Sequence, residues 1–149
     1  ETLVSAAAEG PWSAEDGNCL DLAAKWFERL SKSGLPARIV TVDPSLAAGG
    51  ALVDGRRVRA GKFHAFVAVG SGPDEVIVDA AWRQFFSDAS GLPEVLVATR
   101  REAARAYAAR RRSLRVELYD DPYLGRYEPA SFAELVYGFG PNAPLRVEL

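Results

Sequence analysis

Three consecutive segments decide the fold: Phe63-His-Ala-Phe-Val-Ala-Val69, Gly70-Ser-Gly-Pro-Asp74 and Glu75-Val-Ile-Val-Asp79. The outer two are rich in β-branched and apolar residues, and the one between them holds the Gly, Ser, Pro and Asp of a tight reversal. Together they predict an antiparallel hairpin. A parallel pair needs a crossover of about a dozen residues or more, and the connection is too short to provide one. Along the first strand, Phe63, Ala65, Val67 and Val69 alternate with His64, Phe66 and Ala68. The first set is uniformly apolar, which predicts that it faces the core and leaves His64 on the less buried side.

Upstream of the hairpin, Leu20, Ala23, Ala24, Phe27 and Leu30 recur at helical spacing before Gly34 and Pro36 interrupt the pattern. The spacing predicts a helix over 18–33 with Phe27 and Leu30 in the core. Asn18 is a suitable N-cap, because its side-chain oxygen accepts an amide hydrogen that the first turn leaves free. Cys19 then falls in the first helical turn. Ala37 to Val42 reads as a strand ended by Asp43-Pro44, and residues 45–61 as a glycine-containing loop with room for one short strand. Residues 1–17 show no clear period.

Downstream, the sequence predicts a short aromatic segment from Gln84 to Phe86, an apolar run from Val95 to Val97, and a helix over 99–112 with Ala104, Tyr107 and Ala108 inward. Seven arginines against one glutamate between positions 100 and 115 give that helix a strongly positive face. A strand over 114–119, a helix over 131–137 with Ser131 and Glu134 as a capping box, and a strand over 145–149 complete the reading. The class is α+β, with a helix bearing Cys19 packed on an antiparallel sheet bearing His64 and Asp79.

At 149 residues, 48% hydrophobic and with a formal net charge of −2, the chain has the apolar content for one domain with its own core, which excludes disordered and collagen-like classes. No apolar run approaches the roughly 18 residues of a membrane span. One cysteine excludes an internal disulfide. A start at Glu1, the absence of methionine and the lack of a basic-then-apolar leader predict a piece cut from a longer polypeptide. Fifteen arginines against three lysines, with abundant alanine, reflect GC-rich codon usage rather than function.

Cysteine and histidine each occur once. A thiol at a helix N-terminus feels the positive end of the helix dipole, which favours the thiolate, although a cysteine there also suits simple core packing. A lone strand histidine and an aspartate at a strand end each have bland structural uses too. In the order Cys19, His64, Asp79, however, they supply a nucleophile, a base and an acid to orient the base, and paired antiparallel strands set Asp79 beside His64. No cysteine and histidine pairs mark a zinc site, no glycine loop cradles a phosphate, and no aromatic interleaving turns the arginine helix into a nucleic-acid surface. No cofactor, metal or nucleic-acid partner is expected. The arginine face is either solvated or a dock for an acidic partner such as a target protein, an immunity protein or an anionic membrane surface.

Gly17-Asn-Cys-Leu-Asp-Leu-Ala, Gly34-Leu-Pro-Ala-Arg-Ile-Val, Phe63-His-Ala-Phe-Val-Ala-Val and Val76-Ile-Val-Asp together resemble the papain-like and transglutaminase-like superfamily. Within it, residues 12 to 100 are most similar to the papain-fold toxin domains at the C-termini of bacterial polymorphic toxins and effectors. Val78-Asp-Ala-Ala-Trp-Arg-Gln-Phe is similar to their aspartate-plus-glutamine stretch. The resemblance implies a secreted or injected domain working in the target-cell cytosol, with a cognate immunity protein as partner. Its implied activity is thioester-forming acyl transfer on amides, commonly the glutamine side chain of a target protein. Water resolving the thioester gives deamidation and a lysine amine gives a cross-link. The backbone amide of Cys19 is the natural first oxyanion donor, with Trp12, Asn18 and Gln84 as candidates for the second. A cysteine peptidase and a non-catalytic binding domain on the same fold are the alternatives. Replacing residues beside a cleft is expected to lower stability by less than about 2 kcal/mol.

Overall fold

A computed structural model of the chain describes residues 19–42, 52–53, 56–57, 64–114, 133–134, 136–139 and 146–149. Trp12, Asn18, Phe63 and Ser131 lie outside the described residues, as do the predicted strand beyond Leu114 and the start of the final strand.

The first helix, α1 (Cys19–Lys32), buries Leu22, Ala23, Trp26 and Leu30. Leu20 is 38% exposed, Ala24 is exposed and Phe27 is half-buried, so the inward face differs from the predicted one. Trp26, the largest side chain of the segment, turns the helix toward itself and displaces Phe27 to the margin. Cys19 is in step with Leu22, Ala23 and Trp26 at three- and four-residue intervals, so the same rotation carries it toward the sheet. The helix stops where predicted, because Gly34 takes a left-handed conformation (φ 83°). Leu35 then donates to the Leu30 carbonyl at 3.2 Å and Gly34 to the Ser31 carbonyl at 3.0 Å, the paired bonds of a Schellman turn.

Among the described residues, five strands make one antiparallel sheet: β1 (Ala37–Val42), β4 (His64–Val69), β5 (Val76–Asp79), β6 (Leu96–Thr99) and β7 (Arg146–Glu148), in the order β6-β5-β4-β1-β7. β2 (Leu52–Val53) and β3 (Arg56–Arg57) form a separate two-residue ladder. The predicted hairpin forms antiparallel over the described residues 64–79 with Val67 opposite Val78, and a 3-10 turn at Gly72–Asp74 reverses the chain.

β4 lies at the centre of the sheet, and all six of its residues are buried. Ala65, Val67 and Val69 share one core with Leu22, Ala23, Trp26 and Leu30 of α1. Phe66 and Ala68 belong to a second core with Trp82, Phe85, Tyr107 and Tyr137. Strand alternation therefore misjudged His64, which is 1% exposed: a sheet covered on both faces has no less buried side.

The second cover contains α2 (Arg100–Ala108), which follows β6 without a break. Thr99 accepts from the amide of Glu102, and Glu102 accepts from the amide of Thr99 at 2.9 Å, a complete capping box. α2 ends earlier than the predicted 112, with a 3-10 turn at Arg111–Ser113, and buries Ala103 and Tyr107 while Ala108 is exposed. Arg101, Arg105 and Arg112 are exposed, as a positive face requires. Helical residues 133–134 and 136–137 complete the layer and bring in Tyr137. Gly138 follows at φ 72°, where a Cβ would come within 2.4 Å of the Arg146 side chain, so only glycine lets β7 approach this turn.

A buried carboxylate, Glu75, ties the sheet end to its cover. Arg146 makes a two-pronged contact with its oxygens at 3.0 and 3.1 Å, Arg38 bonds to it from β1, and Arg100 lies 3.6 Å away at the start of α2. Paired and hydrogen-bonded on several sides, the charge is tolerated in the interior. No described helix is long and apolar enough to cross a membrane.

Candidate active site

The hairpin register explains how two of the site residues meet. With Val67 opposite Val78, one further step sets Asp79 opposite Phe66 and on the same face. His64 is two residues further along that face, in the diagonal position that long side chains span. His64 Nε2 lies 2.7 Å from Asp79 Oδ2. Asp79 Oδ1 accepts from the backbone amide of Ala81 at 2.9 Å, so the carboxylate is fixed at both oxygens.

Cys19 reaches the same point from the other side of the sheet. Its half-buried thiol is hydrogen-bonded to His64 and to the backbone amide of Ala65, at the start of β4. Nε2 is committed to Asp79, so Nδ1 is the ring nitrogen left to exchange a proton with sulfur. Gln84, in the 3-10 turn Trp82–Phe85, places Nε2 at 3.5 Å from that same Nδ1. The structure thus brings Cys19, His64, Asp79 and Gln84 together.

The surroundings of the imidazole are aromatic. Phe85 meets it edge-on with centroids 4.7 Å apart, and Phe66 and Tyr137 stand at 5.9 and 5.8 Å. Such burial by itself pushes the imidazole pKa down, but the charge of Asp79, its hydrogen bond and the contact with Cys19 outweigh it and raise the value to about 9. Burial likewise pushes the Cys19 thiol up, and the hydrogen bond and charge of His64 with the Ala65 amide more than reverse this, leaving it below an ordinary thiol. The two shifts together favour a thiolate beside an imidazolium, the state in which sulfur is nucleophilic and nitrogen can act as an acid.

Two tyrosines join the site that the sequence does not assign to it, although it predicts Tyr107 as inward. The Tyr137 hydroxyl donates to Asp79 Oδ2 at 2.6 Å, and the Tyr107 hydroxyl lies 2.7 Å from that of Tyr137. Burial first, and then the charge of Asp79, hold the Tyr137 phenol well above its usual pKa, so it remains a donor. Among the described residues, no group of three His, Cys, Asp or Glu side chains is placed to hold a metal ion.

Compared with known protein families, curated proteins and solved structures, the chain matches none.

Proposed function

We propose that the chain is a thiol acyl-transfer enzyme of papain-like architecture and, by the resemblance of its Cys, His and Asp segments, a protein-glutamine deamidase delivered as a bacterial toxin or effector domain. One observation carries the chemistry: a half-buried thiol in a hydrogen bond with a buried imidazole whose Nε2 is 2.7 Å from a buried carboxylate.

In the proposed cycle the Cys19 thiolate adds to the carboxamide carbon, and the oxyanion that forms takes donors from the Cys19 amide and the Gln84 side chain. The C–N bond breaks as the His64 imidazolium gives its proton to the departing ammonia, leaving an acyl thioester. Neutral His64 then takes a proton from water, whose oxygen adds to the thioester carbon. The C–S bond breaks, glutamate leaves, and thiolate and imidazolium are restored. Asp79 holds the ring and stabilises its charged form. Proteolysis uses the same steps on a backbone amide.

The test is expression of the chain and of Cys19→Ala in a recipient cell, followed by proteome-wide mass spectrometry. Glutamine converted to glutamate only with intact Cys19 is the expected result. Cysteine-dependent chain cleavage would replace the deamidase with a peptidase, and no covalent change dependent on Cys19 would leave a binding domain.

A further inference from the structure

Cys19, His64 and Asp79 leave part of the buried polar network unused. Asp79 Oδ2, which holds His64 Nε2, also accepts from Tyr137 at 2.6 Å. Tyr137 has a single proton and commits it to the carboxylate, so in the 2.7 Å contact between the two hydroxyls Tyr107 is the donor. Both rings are fully buried. Packing alone would be served by phenylalanine at either place, since the hydroxyl adds little volume and brings a desolvation cost. Instead α2 and the helical residues 136–137 deliver two hydroxyls in series to the oxygen that holds the imidazole. These residues lie 28 and 58 positions after Asp79 in the chain.

We propose that Tyr137, backed by Tyr107, is a positioning residue for His64: it shares Asp79 Oδ2 with the imidazole, fixes the carboxylate plane and draws off part of its charge, so that the imidazolium is held yet still releases its proton. The inference rests on reading Cys19, His64 and Asp79 as a catalytic unit. Its electrostatic logic is direct. A hydrogen bond donated to a carboxylate disperses its negative charge, and the field at a neighbouring cation weakens accordingly. Without the Tyr137 proton more of the charge of Asp79 falls on His64, with the Ala81 amide alone left to share it, and the imidazolium becomes a weaker acid toward departing ammonia.

Among the described residues, the titratable and charged groups facing the imidazole are Cys19 from α1, Asp79 from β5 and Tyr137 from the second cover, with Tyr107 of α2 behind it. Arg146 lies over the neighbouring Phe66 ring, and its charge is already paired with Glu75.

The chain has one histidine, so its ring nitrogens can be followed by 15N NMR titration without assignment. Tyr137→Phe should raise the His64 pKa by about half to one unit, and Tyr107→Phe should raise it less in the same direction, because Tyr137 loses the donor that strengthens its own. Turnover should fall about three-fold or more in kcat with KM unchanged. A His64 pKa unmoved in both variants, with only stability lost, would reduce the tyrosines to packing, and a fall in pKa would refute the dispersal of charge. Should Tyr137→Phe fail to fold, Tyr107→Phe decides the sign. The titration needs no substrate, so an absence of Cys19-dependent turnover in the parent protein would overturn the catalytic reading while the titration still judges the hydroxyl network.

Discussion

Oδ2 of Asp79 stands 2.7 Å from Nε2 of His64, and neither side chain is more than 1% exposed. Buried this far, the pair cannot exchange its partner for water. Cys19, by contrast, is half-buried at the edge of the same site, so a reagent from solvent meets sulfur first.

The first expected consequence is a reactive thiol near neutral pH. Alkylation of Cys19 by iodoacetamide should follow a pH profile displaced below that of a free cysteine, because His64 lowers the thiol pKa. His64→Ala removes the hydrogen bond and the charge but leaves the burial, so the profile should move up past its parent position. Identical profiles for the two proteins would show that sulfur and imidazole do not communicate.

Replacing Asp79 should affect both activity and stability. Cys19→Ala should abolish the proposed covalent chemistry, since no other thiol exists in the chain, with His64→Ala nearly as severe. Asp79→Ala should retain residual turnover, down by about a hundred- to ten-thousand-fold. Its stability cost should exceed the small loss expected for a residue beside an open cleft. Three donors, from His64, Tyr137 and Ala81, lose their acceptor in the interior, which costs about 3 kcal/mol or more. Urea denaturation measures it, and a loss under about 1 kcal/mol would mean that water replaces the carboxylate.

Glu75 tests the opposite end of β5. Glu75→Ala takes the shared carboxylate from Arg100, Arg146 and Arg38, of which Arg38 keeps Glu148, and about 3–5 kcal/mol of stability should be lost. Because Glu75 takes no part in the proposed chemistry, the folded fraction should keep its alkylation profile at Cys19. A changed profile would reveal coupling between the two polar centres.

These residues also show where sequence reading works and where it stops. The hairpin and the stop at Gly34 are legible because each depends on neighbours a few residues away, and Cys19 and His64 stand out because each is the one residue of its type in the chain. The burial of His64 is not legible, since Phe85 and Tyr137, which pack on its ring, come from elements that follow it by about twenty residues and by more than seventy. Tyr137 lies 58 residues from its acceptor. Its one local signal is a tyrosine among Ala133 and Val136, a hydroxyl on an apolar stripe that must find a partner once buried. Trp26 displaced Phe27 because periodicity alone does not rank two adjacent aromatics. Glu75 likewise draws its arginines from β1, α2 and β7, which no local spacing connects.

The proton balance of Cys19 and His64 gives a last prediction, in the dependence of stability on pH. The folded imidazole titrates at about 9, against about 6.5 for an unfolded histidine. Taken alone, His64 contributes stability that is fully present below pH 6.5 and is lost as pH rises toward 9, because in that window the native state binds the extra proton. Cys19 acts in the other sense. Its folded pKa is depressed, so its contribution is full above the unfolded thiol value and is lost as pH falls through the folded one. Where the native protein holds thiolate and imidazolium while the unfolded chain holds thiol and imidazole, the proton counts match and stability is flat. Cys19→Ala removes the compensation. Asp79 still raises the imidazole pKa in that variant, so stability should decline between pH 6.5 and 9 by about 1–2 kcal/mol, measured as denaturation midpoints at a series of pH values. The parent protein should show a shallower slope over the same range. Equal slopes would mean that the Cys19 proton is not linked to the His64 proton, and the thiolate–imidazolium pair would have to be given up.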